Sequence, residues 1–206
     1  MNYGEELSYW YLRLNGFFLI RRFVIHKSRT IRYSSDCDLL AVRPPHVHEE
    51  VGGNLHDWDP WLLELLDFNR TIGVICEAKT GRYQSGKIFK PEYLKYSIGR
   101  LGFVPIEEID QTAQEMEETA VWNICDQYQI CKLLIAEKCV SSDRFACRNL
   151  EDIEGFLKGR AQEYHEDKYR DRMFFDSALF QNIIKDVFRK RDIREAARQR
   201  VEPLRM

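Results

Sequence analysis

An acid and a base stand two residues apart in the segment 73–81, whose sequence is GVICEAKTG. Its apolar run between glycines is typical of a buried strand, and such strands rarely carry unpaired charges because burying a charge is costly. Side chains two apart on a strand share a face, so we expect Glu77 and Lys79 to lie side by side. A carboxylate and an ammonium at the end of a core strand could hold a cation and handle a proton. The alternative is a salt-bridged strand end that emerges into solvent.

A second apolar strand is predicted in the segment 34–42 (SSDCDLLAV), and acidic residues stand at its beginning. Asp36 and Asp38 share one face by the same period of two. If this strand pairs antiparallel with the strand that carries Glu77, Asp38 approaches Glu77 and two carboxylates converge beside Lys79. Carboxylate oxygens and water are the ligands that Mg²⁺ or Mn²⁺ prefers, so this pairing predicts a divalent-cation site.

A helix near the start of the chain supplies a third acid. The spacing of its apolar residues is helical, and Gly16 is placed where a glycine ends a helix. The apolar stripe consists of Leu7, Trp10, Tyr11 and Leu14. Glu5 lies on the first turn, where the helix dipole favours an acid, and that stabilising role is the alternative to a functional one.

Taken in order, these segments resemble the PD-(D/E)XK nuclease superfamily, in its Holliday-resolvase-like and restriction-endonuclease-like branches. The matching residues are Gly4-Glu5, Ser8, Tyr11-Leu12, Gly16-Phe17, Asp36-Cys37-Asp38-Leu39-Leu40 and Cys76-Glu77-Ala78-Lys79-Thr80. The resemblance covers residues 3–81, and only the outline of the remainder. The chain departs from the pattern in two places: Asp36 stands where Glu is more usual, and the segment between the second and third strands is far longer than a hairpin.

The resemblance implies an α/β fold with a restriction-endonuclease-like core (αβββαβ), in which helices flank a mixed central sheet. Periodicity predicts helices at 3–15, 91–101, 106–120, 150–168 and 175–200, and strands at 17–26, 35–43, 72–80 and 127–138. In the insertion at 44–71, Asp59 as N-cap and Pro60 at the first position predict a short helix over Trp61–Phe68. We expect one nuclease-like domain over 1–206, with its core at about 3–140 and a C-terminal helical extension at about 150–200.

The same resemblance implies a metal-dependent nuclease that hydrolyses phosphodiester bonds. Asp38 and Glu77 would bind Mg²⁺ or Mn²⁺, with the backbone carbonyl of Ala78 as a further ligand. We expect Lys79 to stabilise charge on the phosphate or orient the attacking water, and Glu5 to complete the site through a water or through Lys79. The expected substrate and partner is DNA, and we expect endonucleolytic cleavage. RNA as a substrate and a homodimer as the oligomeric state remain open. The alternative is a nucleic-acid-binding or assembly subunit that retains the fold without cutting.

The charge distribution is compatible with a nucleic-acid partner although the formal net charge is only −2. Acids concentrate at 107–118, whereas bases concentrate at 21–32 and 79–100, on both sides of the predicted site in sequence. We expect four of these bases to contact nucleic acid: Arg21, Arg22, Arg82 and Lys87. The alternative is that each basic stretch is a solvated face.

Cysteine usage and the distribution of apolar residues indicate the cellular compartment and whether the chain crosses a membrane. Six cysteines form no C-x-x-C pair, and we expect buried thiols of a reducing cytoplasm rather than disulfides or zinc ligands. The first residues lack the basic-then-apolar form of a secretion signal, and no apolar run approaches the ~20 residues of a membrane helix. The sequence therefore predicts a cytoplasmic protein with no membrane partner.

Overall fold

The structure is a computed structural model that describes residues 2–25, 35–48, 58–140, 142–163 and most positions of 178–190. Part of the first basic stretch, with Lys27, Arg29 and Arg32, lies outside the described residues. So do much of the insertion and much of the predicted helix at 175–200, although the described positions of 178–190 are helical.

Helices flank a mixed open sheet, which confirms the predicted α/β class. The helices are α1 (Tyr3–Leu14), α2 (Pro60–Leu65), α3 (Pro91–Leu101), α4 (Ile109–Glu115) and α5 (Leu150–Glu163). The strands are β1 (Phe18–Ile25), β2 (Ser35–Arg43), β3 (Thr71–Lys79), β4 (Val121–Asn123), β5 (Tyr128–Ala136) and β6 (Ala146–Asn149). No described helix has the length and apolar character needed to cross a bilayer.

The sheet has the strand order β1-β2-β3-β5-β4, and β6 also pairs with β5. Strands β1, β2 and β3 are antiparallel neighbours, whereas β3 and β5 are parallel. A parallel pair needs a crossover connection, which α3 and α4 provide. The sequence patterns did not predict β4 and β6, because three or four residues are too few to display a period of two. The predicted acidic helix at 106–120 divides into α4 and flanking 3₁₀ turns at Ile106–Glu108 and Met116–Glu118.

Two apolar cores lie on opposite faces of the sheet and fix the direction of each side chain on β3. Val74 and Cys76 belong to the core on the α1 and α5 face, whereas Ile75 belongs to the core beneath α3 and α4. The alternation of side chains along a strand therefore directs Glu77 and Lys79 to the α3 face. Helix α5 completes the opposite face, where the ring of Tyr11 lies 5.5 Å from that of Phe156.

A buried arginine anchors the two ends of the insertion. Arg43 is 2% exposed, and its guanidinium lies 3.9 Å from the ring centre of Phe68. It donates hydrogen bonds to the carbonyls of Asn15 (3.2 Å) and Val47 (3.1 Å), and burial lowers its pKa to about 10. The predicted N-cap is confirmed, because Asp59 accepts a 3.0 Å hydrogen bond from the backbone of Trp61. The helix that follows is shorter than predicted and ends at Leu65.

The prediction that every cysteine is a buried thiol is wrong. Cys139 and Cys147 form a disulfide across a sequence separation of 8 residues. Strand β6 turns back to pair in parallel with the end of β5, and this places Cys147 next to the residues that follow β5. Cys125 is a free thiol but is exposed, whereas the other three described thiols are buried as predicted: Cys37, Cys76 and Cys131.

Candidate active site

Two acids stand opposite each other where the β2–β3 ladder ends. The last paired positions are Leu39 and Cys76, so one further step in the same antiparallel register sets Asp38 against Glu77. Asp38 Oδ2 accepts a 2.8 Å hydrogen bond from the backbone N–H of Ala78. The Asp38 carboxylate thus accepts a hydrogen bond from a backbone N–H of β3 that lies beyond the last ladder pair. This contact holds the carboxylate beside β3.

Lys79 bridges the two acids. Its Nζ atom lies 2.5 Å from Glu77 Oε2 and 3.5 Å from Asp38 Oδ2. The structure therefore brings together the three residues that the two period-two patterns indicated. Their contact requires all three side chains to occupy one face of the sheet, which agrees with the antiparallel pairing expected from the sequence.

Burial and charge set the protonation of this cluster. Burial, together with the charge of Asp38, raises the pKa of Glu77 above its usual value despite the opposing effect of Lys79. Burial acts to lower the pKa of Lys79, but its two carboxylate partners outweigh burial and the pKa is raised. Lys79 is therefore an ammonium at neutral pH and acts as a fixed positive charge.

Tyr93, which the sequence patterns did not indicate as a site residue, holds the other oxygen of Glu77. The hydroxyl of Tyr93 on α3 donates a 2.5 Å hydrogen bond to Glu77 Oε1, and its residue is 8% exposed. Burial, with the nearby Cys37 and Glu77, raises the pKa of Tyr93 well above its ordinary value. The phenol consequently stays protonated and remains a donor. The position of Tyr93 on the apolar face of α3 is visible in the sequence. That pattern predicts burial of the ring but does not predict a hydrogen-bond partner for its hydroxyl.

Glu5 lies near this cluster but does not contact it. Helix α1 packs closely against the end of β3, since a Cβ atom added to Gly4 would lie 2.8 Å from the side chain of Thr80. Glu5 forms a capping box with Asn2, whose backbone N–H and side-chain amide both donate to the Glu5 carboxylate. Arg22 Nε lies 3.7 Å from Glu5 Oε2. The structure supports the stabilising role of Glu5, and a water-mediated role at Lys79 stays a prediction.

The two arginines of β1, Arg21 and Arg22, contact residues of helix α1. Arg22 has a φ of 51°, in the left-handed region that non-glycine residues adopt infrequently. The guanidinium of Arg21 lies 4.7 Å from the ring centre of Tyr9. Neither arginine lines the cavity next to Glu77, so their predicted contact with nucleic acid gains no support from this geometry.

An open cavity of about 900 Å³ adjoins the acid pair. Glu77 and Lys79 line the cavity, and the segment 82–90 supplies most of the other lining residues. The predicted nucleic-acid contacts Arg82 and Lys87 both line it. The charged lining residues are four bases (Lys79, Arg82, Lys87 and Lys90) and two acids (Asp36 and Glu77). With four bases against two acids, the lining carries a net positive charge, as a phosphate-binding surface requires.

The donor set fits a divalent cation of the magnesium type. Mg²⁺ is commonly held by one or two carboxylates together with waters and substrate phosphates, and Asp38 and Glu77 supply two. Lys79 already stands as a cation between them. Ala78 N–H points toward β2, and the N–H and C=O of one strand residue point the same way, so the Ala78 carbonyl also points toward β2. Among the described residues no group of three or more His, Cys, Asp or Glu side chains is arranged to hold a metal.

Comparison with known proteins identified no relative. No protein-family model, curated protein or solved structure matches this chain.

Proposed function

We propose that this protein is a metal-dependent nuclease that hydrolyses phosphodiester bonds of DNA endonucleolytically. The observation that carries the proposal is the convergence of Asp38 and Glu77 on the ammonium of Lys79 at the end of the β2–β3 ladder. Two carboxylates held together in a partly buried site repel each other, and the single positive charge of Lys79 offsets only one of their two negative charges, so a divalent cation would be favoured here. The elements α1, β1–β3, α3 and β5 follow the αβββαβ order of the restriction-endonuclease-like core, which supports the same proposal.

In this proposal Asp38, Glu77 and the carbonyl of Ala78 hold Mg²⁺ or Mn²⁺. The bound metal would supply Lewis-acid stabilisation of the phosphate and lower the pKa of a coordinated water. Both acids come from strands of the central sheet, so their separation is fixed by backbone hydrogen bonds rather than by a loop.

The side chains around the acids have separate tasks. Lys79, protonated, stabilises the negative charge that develops on the phosphate oxygens during displacement. Tyr93 fixes Glu77 by donating to Oε1, while Oε2 contacts the ammonium of Lys79. Arg82 and Lys87 hold the phosphates that flank the bond to be cleaved.

A cleavage assay tests this proposal directly. Purified protein is incubated with supercoiled, linear, branched and single-stranded DNA in the presence of Mg²⁺, Mn²⁺ or EDTA, and the products are resolved on gels. We expect cleavage that requires a divalent cation and that K79A lacks. DNA binding without cleavage by the wild type under all these conditions would contradict the proposal and support the alternative, a nucleic-acid-binding or assembly subunit.

A further inference from the structure

The cavity beside Glu77 is larger than the chemistry of one phosphate requires. Its volume of about 900 Å³ is within the roughly 300–1,000 Å³ range of pockets that enclose a drug-sized ligand. Glu77 and Lys79 are only two of its lining residues, and most of the others belong to the segment 82–90. The cavity therefore has room for a nucleoside unit beside the phosphate.

Three bases of the segment 82–90 form no ion pair with a described residue. Arg82, Lys87 and Lys90 are exposed and line the cavity, and none forms an ion pair with another residue in the described parts of the chain. By contrast, Lys95 farther along α3 pairs with Asp110 at 2.6 Å. Uncompensated cations around a concave surface focus positive potential and attract phosphate groups.

An aromatic ring is held in place at the same wall. The hydroxyl of Tyr83 donates a 2.9 Å hydrogen bond to the carbonyl of Lys138, which follows β5, so the ring is tethered between two segments of the chain. Tyr83 is partly exposed and lines the cavity. Phe89 is buried in the wall, with its ring 5.8 Å from that of Phe145. A tethered ring with an accessible surface is suited to stacking against a nucleobase.

From these contacts we infer that the cavity binds an unpaired nucleotide, with its base stacked on Tyr83 and its adjoining phosphates at Arg82, Lys87 and Lys90. The substrate class is therefore single-stranded DNA, or DNA whose strand is locally unpaired beside the cleaved bond. The position of that bond at Lys79 rests on the proposed nuclease function. In an intact duplex the neighbouring bases cover each base, and stacking on Tyr83 would require the nucleotide to leave the helix.

Equilibrium binding in EDTA tests the inference independently of cleavage. The full chain is titrated into a fluorescein-labelled strand of about 20 nucleotides and, separately, into the duplex of the same sequence, with fluorescence anisotropy as the readout. We expect the single strand to bind about tenfold more tightly than the duplex. Y83L should weaken single-strand binding about 5- to 150-fold and leave duplex binding unchanged, because base stacking on an aromatic contributes about 1–3 kcal/mol.

The matched variant Y83F separates stacking from the tether. It keeps the ring and removes the hydrogen bond to Lys138, so we expect near-wild-type single-strand affinity. Circular dichroism verifies that each variant is folded. Equal weakening by Y83F and Y83L, equal loss on both DNA forms, or tighter duplex binding by the wild type would each overturn the inference.

The two proposals fail in different ways. Binding of single strands through Tyr83 without cleavage in any divalent cation would refute the nuclease and keep the inference. Conversely, metal-dependent cleavage of intact duplex at the same rate by Y83L and the wild type would refute the inference and keep the nuclease.

Discussion

Tyr93 and Glu77 form a 2.5 Å hydrogen bond between helix α3 and strand β3, in which the phenol donates to Glu77 Oε1. Lys79 contacts the other oxygen of the same carboxylate, also at 2.5 Å. One acid is therefore held from two sides, by a neutral donor from the helix and by a cation from its own strand. Because Tyr93 keeps its proton, the contact fixes the orientation of Glu77 without neutralising its charge.

If the proposed nuclease function holds, Y93F should raise the Mg²⁺ requirement for cleavage and leave the fold largely unchanged. The substitution removes the hydroxyl and keeps the buried ring, so Glu77 loses its restraint while the core remains filled. Removing a group that orients a metal ligand typically costs about 10–100-fold in metal affinity or activity. We expect the Mg²⁺ concentration for half-maximal cleavage to rise by about that factor. Y96F, the same change farther along α3, is the control, and equal Mg²⁺ titrations for Y93F and the wild type would refute the positioning role.

K79A should abolish cleavage and leave DNA binding almost intact. Loss of a group that stabilises transition-state charge lowers turnover by about 100-fold or more. Affinity should fall by less than about tenfold, since Lys79 is one of four bases on the cavity wall. Cleavage rates and anisotropy titrations give the two quantities. K95A is the control, because Lys95 pairs with Asp110 away from the cavity. Equal cleavage rates for K79A and the wild type would show that Lys79 is a surface residue with no role in cleavage.

Local patterns predicted the strands that carry the acids, because a period of two is visible within a few residues of Asp38 and Glu77. They could not predict Tyr93 as a partner, since its hydroxyl reaches Glu77 only after α3 packs on the sheet. The disulfide also escaped prediction, because the pairing of β6 with β5 determines which cysteines meet. Likewise, Glu5 had two interpretations from its position in the first turn, and only its contacts with Asn2 and Arg22 distinguish a capping role from contact with Lys79.

E77Q should stabilise the fold at neutral pH and lose that advantage in acid. The pKa of Glu77 is raised in the folded state, so the folded chain binds this proton more tightly than the unfolded chain. Wild-type stability therefore falls as the pH rises through the window above the ordinary value of 4.5. Glutamine does not titrate, so the Tm difference between E77Q and the wild type should approach zero near pH 4 and grow toward pH 8. Thermal melts across this range test the sign, with E92Q, an exposed acid on α3, as the control. A difference that shrinks with rising pH would contradict it.

Reduction of the Cys139–Cys147 disulfide should destabilise the wall of the cavity. The linked segment contains Phe145, which packs on Phe89, and directly follows Lys138, which accepts the hydrogen bond of Tyr83. Loss of a native disulfide commonly costs about 2 kcal/mol or more, or a Tm decrease of roughly 4–8 °C for a chain of this size. C139S/C147S should reproduce the effect of reductant and no longer respond to it. C125S, at an exposed free thiol, should melt like the wild type. A wild type that melts equally with and without reductant would contradict the structural role of this disulfide.

D38N/E77Q distinguishes carboxylates that serve a cation from carboxylates that serve folding. The pair repels in the absence of metal, so neutralising both should leave the Tm unchanged or higher while abolishing metal-dependent cleavage. A ligand that binds only the folded state stabilises it, by about 2.7 kcal/mol at 100 times its Kd. Mg²⁺ should therefore raise the wild-type Tm by roughly 5–10 °C at that concentration and leave the Tm of D38N/E77Q unchanged.

The control for this last test is E107Q/E108Q, which removes two exposed acids from the 3₁₀ turn before α4 and should keep the full Mg²⁺ response. The decisive contrary result is a D38N/E77Q protein that unfolds at room temperature. Asp38 accepts a hydrogen bond from the Ala78 N–H, and Glu77 accepts one from the Tyr93 hydroxyl. A purely structural role for the two acids would consist of these hydrogen bonds. Amide side chains preserve a carbonyl oxygen for each bond and remove only the charge. A collapse of the fold would therefore mean that the charges themselves, balanced by Lys79, stabilise the structure, and the non-cutting subunit would be the better proposal.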